Sequence, residues 1–230
     1  IEWIEEEKMK DQYSIDLVNY SLAKFKKNLE SRDMIPSRIT LKNDLDERFK
    51  ILESHNITNL KELVDVLGSK EKIDGFSQAV ELSAEYLTLL KREAKSYLSN
   101  PVRLDKFPGI PKEVLEKLDV LGIKNTRKLF NQARKKEERV LLSERTEIPI
   151  ERLNELVGLS DLSRAYGLGP VFARMINDLG ITSIKSFIDV SADEFVRIYE
   201  EQTQKKADFG TNEIEFSLIL AKELDIAVDL

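Results

Sequence analysis

An all-α fold of tandem helix-hairpin-helix-like repeats with an N-terminal helical arm is what this sequence predicts, on three observations. Apolar residues recur at helical spacing through nearly the whole chain. Period-two alternation bounded by turn pairs, the signature of strands, is lacking. One hairpin pattern occurs three times: residues 52–64 (LESHNITNLKELV), 118–130 (LDVLGIKNTRKLF) and 176–188 (INDLGITSIKSFI) superimpose without gaps. Ile57, Ile123 and Ile181 then align, as do Leu63, Leu129 and Phe187.

The composition suits that reading. An apolar fraction of 41% and a charged fraction of 34%, with 9 glycines and 6 prolines in 230 residues, describe a charge-rich helical protein able to bury a sizeable core. The absence of cysteine removes disulfides and thiolate chemistry and is compatible with a reducing compartment, so a cytoplasmic location is expected. A net charge of −6 argues against indiscriminate polyanion binding but leaves room for a local basic site. No apolar run approaches the roughly 20 residues that span a bilayer, and no membrane partner is expected. The sequence starts at Ile1 and not Met, as a fragment or a processed form would, so the absence of a signal peptide cannot be read from it.

Taken in order, residues 1–38 read as a helix to about residue 31 and a linker. Glu5, Glu6 and Glu7 suit the positive end of the helix dipole, and Lys24, Lys26 and Lys27 lie toward the other end. Ile15, Val18, Leu22, Phe25 and Leu29 alternate spacings of three and four. That seam either docks on the chain's own domain or mediates self-association or partner docking. Residues 31–37, containing Pro36, break the helix.

Residues 39–103 read as a degenerate first unit, in which Asn43-Asp44-Leu45 occupies the positions that hold glycines elsewhere. Residues 104–230 read as two further units. Leu82, Leu87 and Leu90 fall on Ile148, Leu153 and Leu156 at the same offset, so each unit includes another helix after its hairpin, and Pro149 suits a first helical position. The third hairpin is the sharpest. Gly167-Leu168-Gly169 leads into Pro170, which suits the start of a helix, and Phe172, Ala173, Met175, Ile176 and Leu179 form its buried face. Gly180 stops that helix at the position favouring a left-handed residue, and Thr182 or Ser183 caps the next. His55, the sole histidine, falls at the corresponding turn of the first unit and reads as a turn residue.

From Leu104 to Leu224 the succession FPGIPKEVLEKLDVLGIKNTRKLF, a connecting helix pair, SRAYGLGPVFARMINDLGITSIKSF and the closing IEFSLILAKEL resembles the bacterial and archaeal family catalogued as domain of unknown function 4332. The resemblance implies paired helix-hairpin-helix repeats and says little about function. In the broader helix-hairpin-helix superfamily, hairpin amides grip a backbone phosphate. Unpaired amides at a helix N-terminus, together with its dipole, form an anion site.

The phosphate-binding candidates are Gly167 and Gly169 with Arg164 and Arg174, and Gly109 with Lys106 and Lys112. Lys124, Arg127, Lys128, Arg134, Lys135 and Lys136 are the densest basic run. Contacts of this kind would read the backbone of a duplex and not its sequence. The architectural reading stands beside this one. Glycines Gly167, Gly169 and Gly180 answer to turn geometry whatever is bound, Pro170 and Pro111 each remove an amide donor, and Glu137 and Glu138 make the basic run a mixed, solvated helix face. No zinc spacing, phosphate loop or Ser/His/Asp set is present, so no catalytic residue, metal or cofactor is expected. The expectation is a non-catalytic binding module. It either binds nucleic acid without sequence preference or acts in protein interaction or as a scaffold.

Overall fold

The computed structural model describes residues 11–34 and 36–230; Trp3 and the acidic run Glu5 to Glu7 lie outside them. Among the described residues the chain is all-α, with thirteen α-helices and no strand. Helix α1 (Leu22–Ser31) precedes a 3-10 segment (Pro36–Lys42). Helices α2 (Leu45–Ser54), α3 (Leu60–Val66), α4 (Lys70–Val80) and α5 (Ala84–Lys95) form the first unit. A short 3-10 turn (Leu104–Lys106) leads to α6 (Lys112–Val120), α7 (Thr126–Ala133), α8 (Lys136–Thr146) and α9 (Ile150–Leu162). The last group is α10 (Pro170–Asp178), α11 (Ile184–Ile188), α12 (Ala192–Thr203) and α13 (Thr211–Ala221).

The N-terminal arm departs from expectation. Residues 11–21 are not helical, and α1 begins only at Leu22. The Asp16 carboxylate accepts hydrogen bonds from the Val18 and Asn19 amides and from Asn19 Nδ2, which gives the backbone a local alternative to the helix. Ser21 then caps α1 by accepting from the Lys24 amide at 3.1 Å. The heptad-like seam therefore does not form one helical face. Ile15, Leu22, Phe25 and Leu29 are buried in the chain's own core, while Val18 is 61% exposed. Phe25 packs edge-on against Tyr97 at 5.4 Å and tilted against Phe49 at 6.1 Å, so this seam docks inward.

The three aligned turns have the same backbone geometry. Asn56, Gly122 and Gly180 stand at φ of 61°, 71° and 86°. Ile57, Ile123 and Ile181 each donate their amide to the carbonyl five residues back (Leu52, Leu118, Ile176) at 3.2, 3.0 and 3.2 Å. This is the helix ending with a left-handed residue past its C-cap. Asn59, Asn125 and Ser183 then cap the following helices through their side chains. The plugs Ile57, Ile123 and Ile181 are buried, as are Leu63, Leu129 and Phe187. The offset between the first two units extends further. Ser77 Oγ donates to the Leu82 carbonyl as Ser143 Oγ does to Ile148, and Glu81 and Glu147 end α4 and α8 in the left-handed region.

Two local readings are corrected. Pro149 is the residue before α9 and not its first member, with φ −53° and ψ 138°. Gly169 has φ −64°, so turn geometry does not require glycine there. Pro170 does begin α10. The buried apolar side chains form one continuous core from Tyr13 to Val228, which holds the units against one another.

Candidate functional site

A phosphate grip needs helix N-terminal amides and cations that face solvent. At each hairpin, an amide at the start of the second helix is already engaged inside the protein. Leu60 N donates to the Tyr20 carbonyl at 3.0 Å, and Leu22 N returns a bond to the Thr58 carbonyl at 2.7 Å. In the second unit Thr126 N donates to the Val102 carbonyl at 2.9 Å and Leu104 N to the Lys124 carbonyl at 3.1 Å. A strap of extended chain thus pairs with each turn, through isolated bridges Ser21 to Asn59 and Arg103 to Asn125. In the third unit the buried Asp161 carboxylate on α9 takes the place of the strap and accepts from Ile184 N at 2.8 Å.

Asp161 also pairs with Arg164, whose guanidinium is completely buried. Arg164 donates through Nε to the Tyr13 carbonyl at 3.0 Å and through Nη2 to the Gln12 and Asp225 carbonyls, both at 2.9 Å, and lies 4.6 Å from the Phe130 ring centroid. Burial pushes the Asp161 carboxyl above its ordinary value, opposed by Arg164 and by the Ile184 amide. Arg164 is therefore a staple joining both ends of the described chain to α9 and does not face a phosphate.

The other predicted residues separate in the same way. Arg174, with a side chain 13% exposed, pairs with Glu155 at 2.5 Å and Asp178 at 3.4 Å, and donates to the Pro108 carbonyl at 3.0 Å. Gly167 does need glycine: its φ is +82° and a Cβ would lie 3.1 Å from Ser217 Oγ. Gly109 has φ +77° and open space around it. Lys106 is exposed, and Lys112 is exposed but paired with Glu116 at 3.1 Å. Within the basic run, Lys124 pairs with Asp119 at 2.8 Å. Arg127 donates to Ser14 Oγ at 2.9 Å beside the Tyr13 ring, and Arg134 is half-buried near Phe130. Lys128, Lys135 and Lys136 face solvent. The run is not one continuous basic face.

The structure also forms a site with no local sequence signal. A cleft of about 670 Å³ lies where the segment after α1 meets the Gly167 turn and α13. Its aromatic walls include Tyr166, Phe172, Phe209 and Phe216, and Arg32 and Arg38 supply its cations. Phe172 meets Phe209 edge-on at 5.2 Å, and Tyr166 and Phe216 are 5.0 Å apart. The Arg32 guanidinium stacks 3.8 Å from the centroid of Phe216. Behind the cleft, the fully buried Glu93 of α5 pairs with Arg32 through one oxygen and with Arg38 at 2.5 Å through the other. Arg32 Nη1 is buried and has no hydrogen-bond partner among the described residues.

Among the described residues no group of His, Asp and Glu is placed to hold a metal ion, and no helix is long and apolar enough to cross a membrane. Residues 108–213 match the family model described as Domain of unknown function (DUF4332). Comparisons with curated proteins and with solved structures give no match.

Proposed function

We propose that this chain, whose residues 108–213 belong to the family of that domain of unknown function, is a non-catalytic binding module of the protein-interaction or scaffold kind. In this reading the hairpins are joints of the fold and not phosphate grips. The engagement of Arg164 and Arg174 supports it most: the two cations nearest the Gly167 turn are held by Asp161, Glu155 and backbone carbonyls. Rotating Arg164 outward would leave the buried Asp161 carboxylate uncompensated, a cost of about 3–5 kcal/mol that a phosphate contact would have to exceed. Pro170 and Pro111 remove one amide each from the two entrances.

The test is a fluorescence-anisotropy titration with duplex and branched DNA at low salt. The expected result is no salt-sensitive binding. A specific observation favours a second reading, backbone binding of nucleic acid through the second hairpin: Lys106 and Lys128 are exposed and the Gly109 turn is open. Binding that weakens steeply with salt and is lost in Lys106→Glu/Lys128→Glu would establish that reading in place of the first.

A further inference from the structure

We infer that the cleft beside Gly167 binds a small aromatic molecule carrying a single carboxylate. The inference rests on the reading of the chain as a non-catalytic binding module and names the ligand class for one of its surfaces. At about 670 Å³ the cleft has the volume of a small-molecule site, and its walls are mainly apolar and aromatic. Phe172, Phe209 and Phe216 offer ring edges and faces for a planar group.

The polar end is equally specific. Arg32 and Arg38 share the one buried carboxylate of Glu93, which leaves an excess of one positive charge deep in the cleft. Arg32 Nη1, in a side chain 7% exposed, has no acceptor among the described residues. A buried donor without a partner is costly, and a guanidinium is best satisfied by a planar two-oxygen group. A carboxylate at that end supplies the acceptor and neutralises the excess charge. The exposed Asp33, Asp208 and Glu213 around the cleft disfavour a polyanion, so a nucleotide or a nucleic-acid backbone is the wrong partner. These three are solvated, whereas Arg32 is buried and Arg38 half-buried against Glu93, where charge interactions are stronger.

The experiment titrates the full chain with indole-3-acetate, phenylacetate, indole-3-acetamide and inorganic phosphate. Heat of binding is measured together with the arginine side-chain signals in nitrogen-15 spectra. Expected are saturable binding of the aromatic acids with movement of the Arg32 and Arg38 signals, binding of the amide weaker by about ten-fold or more, and no effect of phosphate. Phe209→Ala, at a partly buried position outside the helices, should weaken the acids by about ten-fold. Absence of binding by both acids, equal binding of acid and amide, or an unmoved Arg32 signal in the unmodified protein overturns the inference. If the acids fail while the duplex titration stays flat, this inference falls and the module reading stands. Salt-sensitive duplex binding defeats that reading whatever the acids do.

Discussion

The second and third hairpins share one backbone and differ in what holds it. At Gly122 and Gly180 the turns have nearly the same φ, and the same amide-to-carbonyl bond closes each. The next helix starts on a backbone carbonyl, that of Val102, in the second unit and on a buried carboxylate, that of Asp161, in the third. The carboxylate brings a guanidinium with it, and Arg164 binds the two ends of the described chain. The comparison teaches that an arginine close in sequence to a glycine-rich turn is not evidence of an anion site. Its charge can answer a carboxylate that the fold has already buried.

Breaking the carboxylate anchor is the severest test of that contrast. Asp161→Leu should strip Arg164 and the Ile184 amide of their acceptor and lower stability by about 3–5 kcal/mol in urea denaturation. No side-chain substitution in the second unit removes the corresponding bond, because Val102 supplies it from the backbone.

Gly158 sharpens the comparison from the same face of α9, one turn before Asp161. A Cβ there would lie 2.5 Å from the Thr182 carbonyl of the third turn. Gly158→Ala gains about 1 kcal/mol of helix propensity, and the overpacking outweighs it. A net loss of about 2 kcal/mol in the same measurement is expected.

The first unit differs from both in its alkaline sensitivity. Burial pushes the Tyr86 phenol of α5 up to about 12, with the Arg48 guanidinium opposing, and raises Tyr97 as well; outside this unit, in the arm, it raises Tyr13 and Tyr20. A phenol raised in the folded state stabilises the protein fully below its unfolded value of 10.0. That contribution disappears as pH rises through the folded value. For Tyr86 the loss between pH 10 and 12 should be roughly 2 kcal/mol. Tyr86→Phe should reduce the loss of stability measured over that range by that amount, leaving the share of Tyr13, Tyr20 and Tyr97.

The smallest effect separates the two glycines of the third entrance. Gly169→Ala should change stability by less than about 0.5 kcal/mol, because φ is −64° and nothing lies within 4 Å of its Cβ position. Gly167→Ala should cost about 1–2 kcal/mol, since it holds φ +82° against Ser217. Equal effects at the two positions would contradict the geometry described here.

How much of this was legible in the sequence follows the range of the forces involved. The turn at Gly180 and the cap at Ser183 depend on neighbours within a few residues and are legible in the third segment; the structure carries the same geometry to Asn56 and Gly122 and to Asn59 and Asn125 at the aligned positions. The arm departs from its sequence pattern where local forces compete: apolar spacing favours a helix through Ile15 and Val18, and the Asp16 side chain wins with a turn. Arg164 and Arg174 are near the entrance in sequence, but their partners Tyr13, Asp225, Glu155 and Pro108 come from elsewhere in the chain. The cleft was invisible for the same reason, since Arg32, Glu93 and Phe216 meet only in the folded core.

The central claim, that the hairpins are joints, is tested most directly by amide spectra of the nitrogen-15-labelled chain titrated with a short DNA duplex at low salt. The account predicts that the amides of Gly109 to Leu115 other than Pro111, and of Gly167 to Ala173 other than Pro170, keep their positions. Progressive, saturable and salt-reversible shifts confined to those two entrances would contradict it.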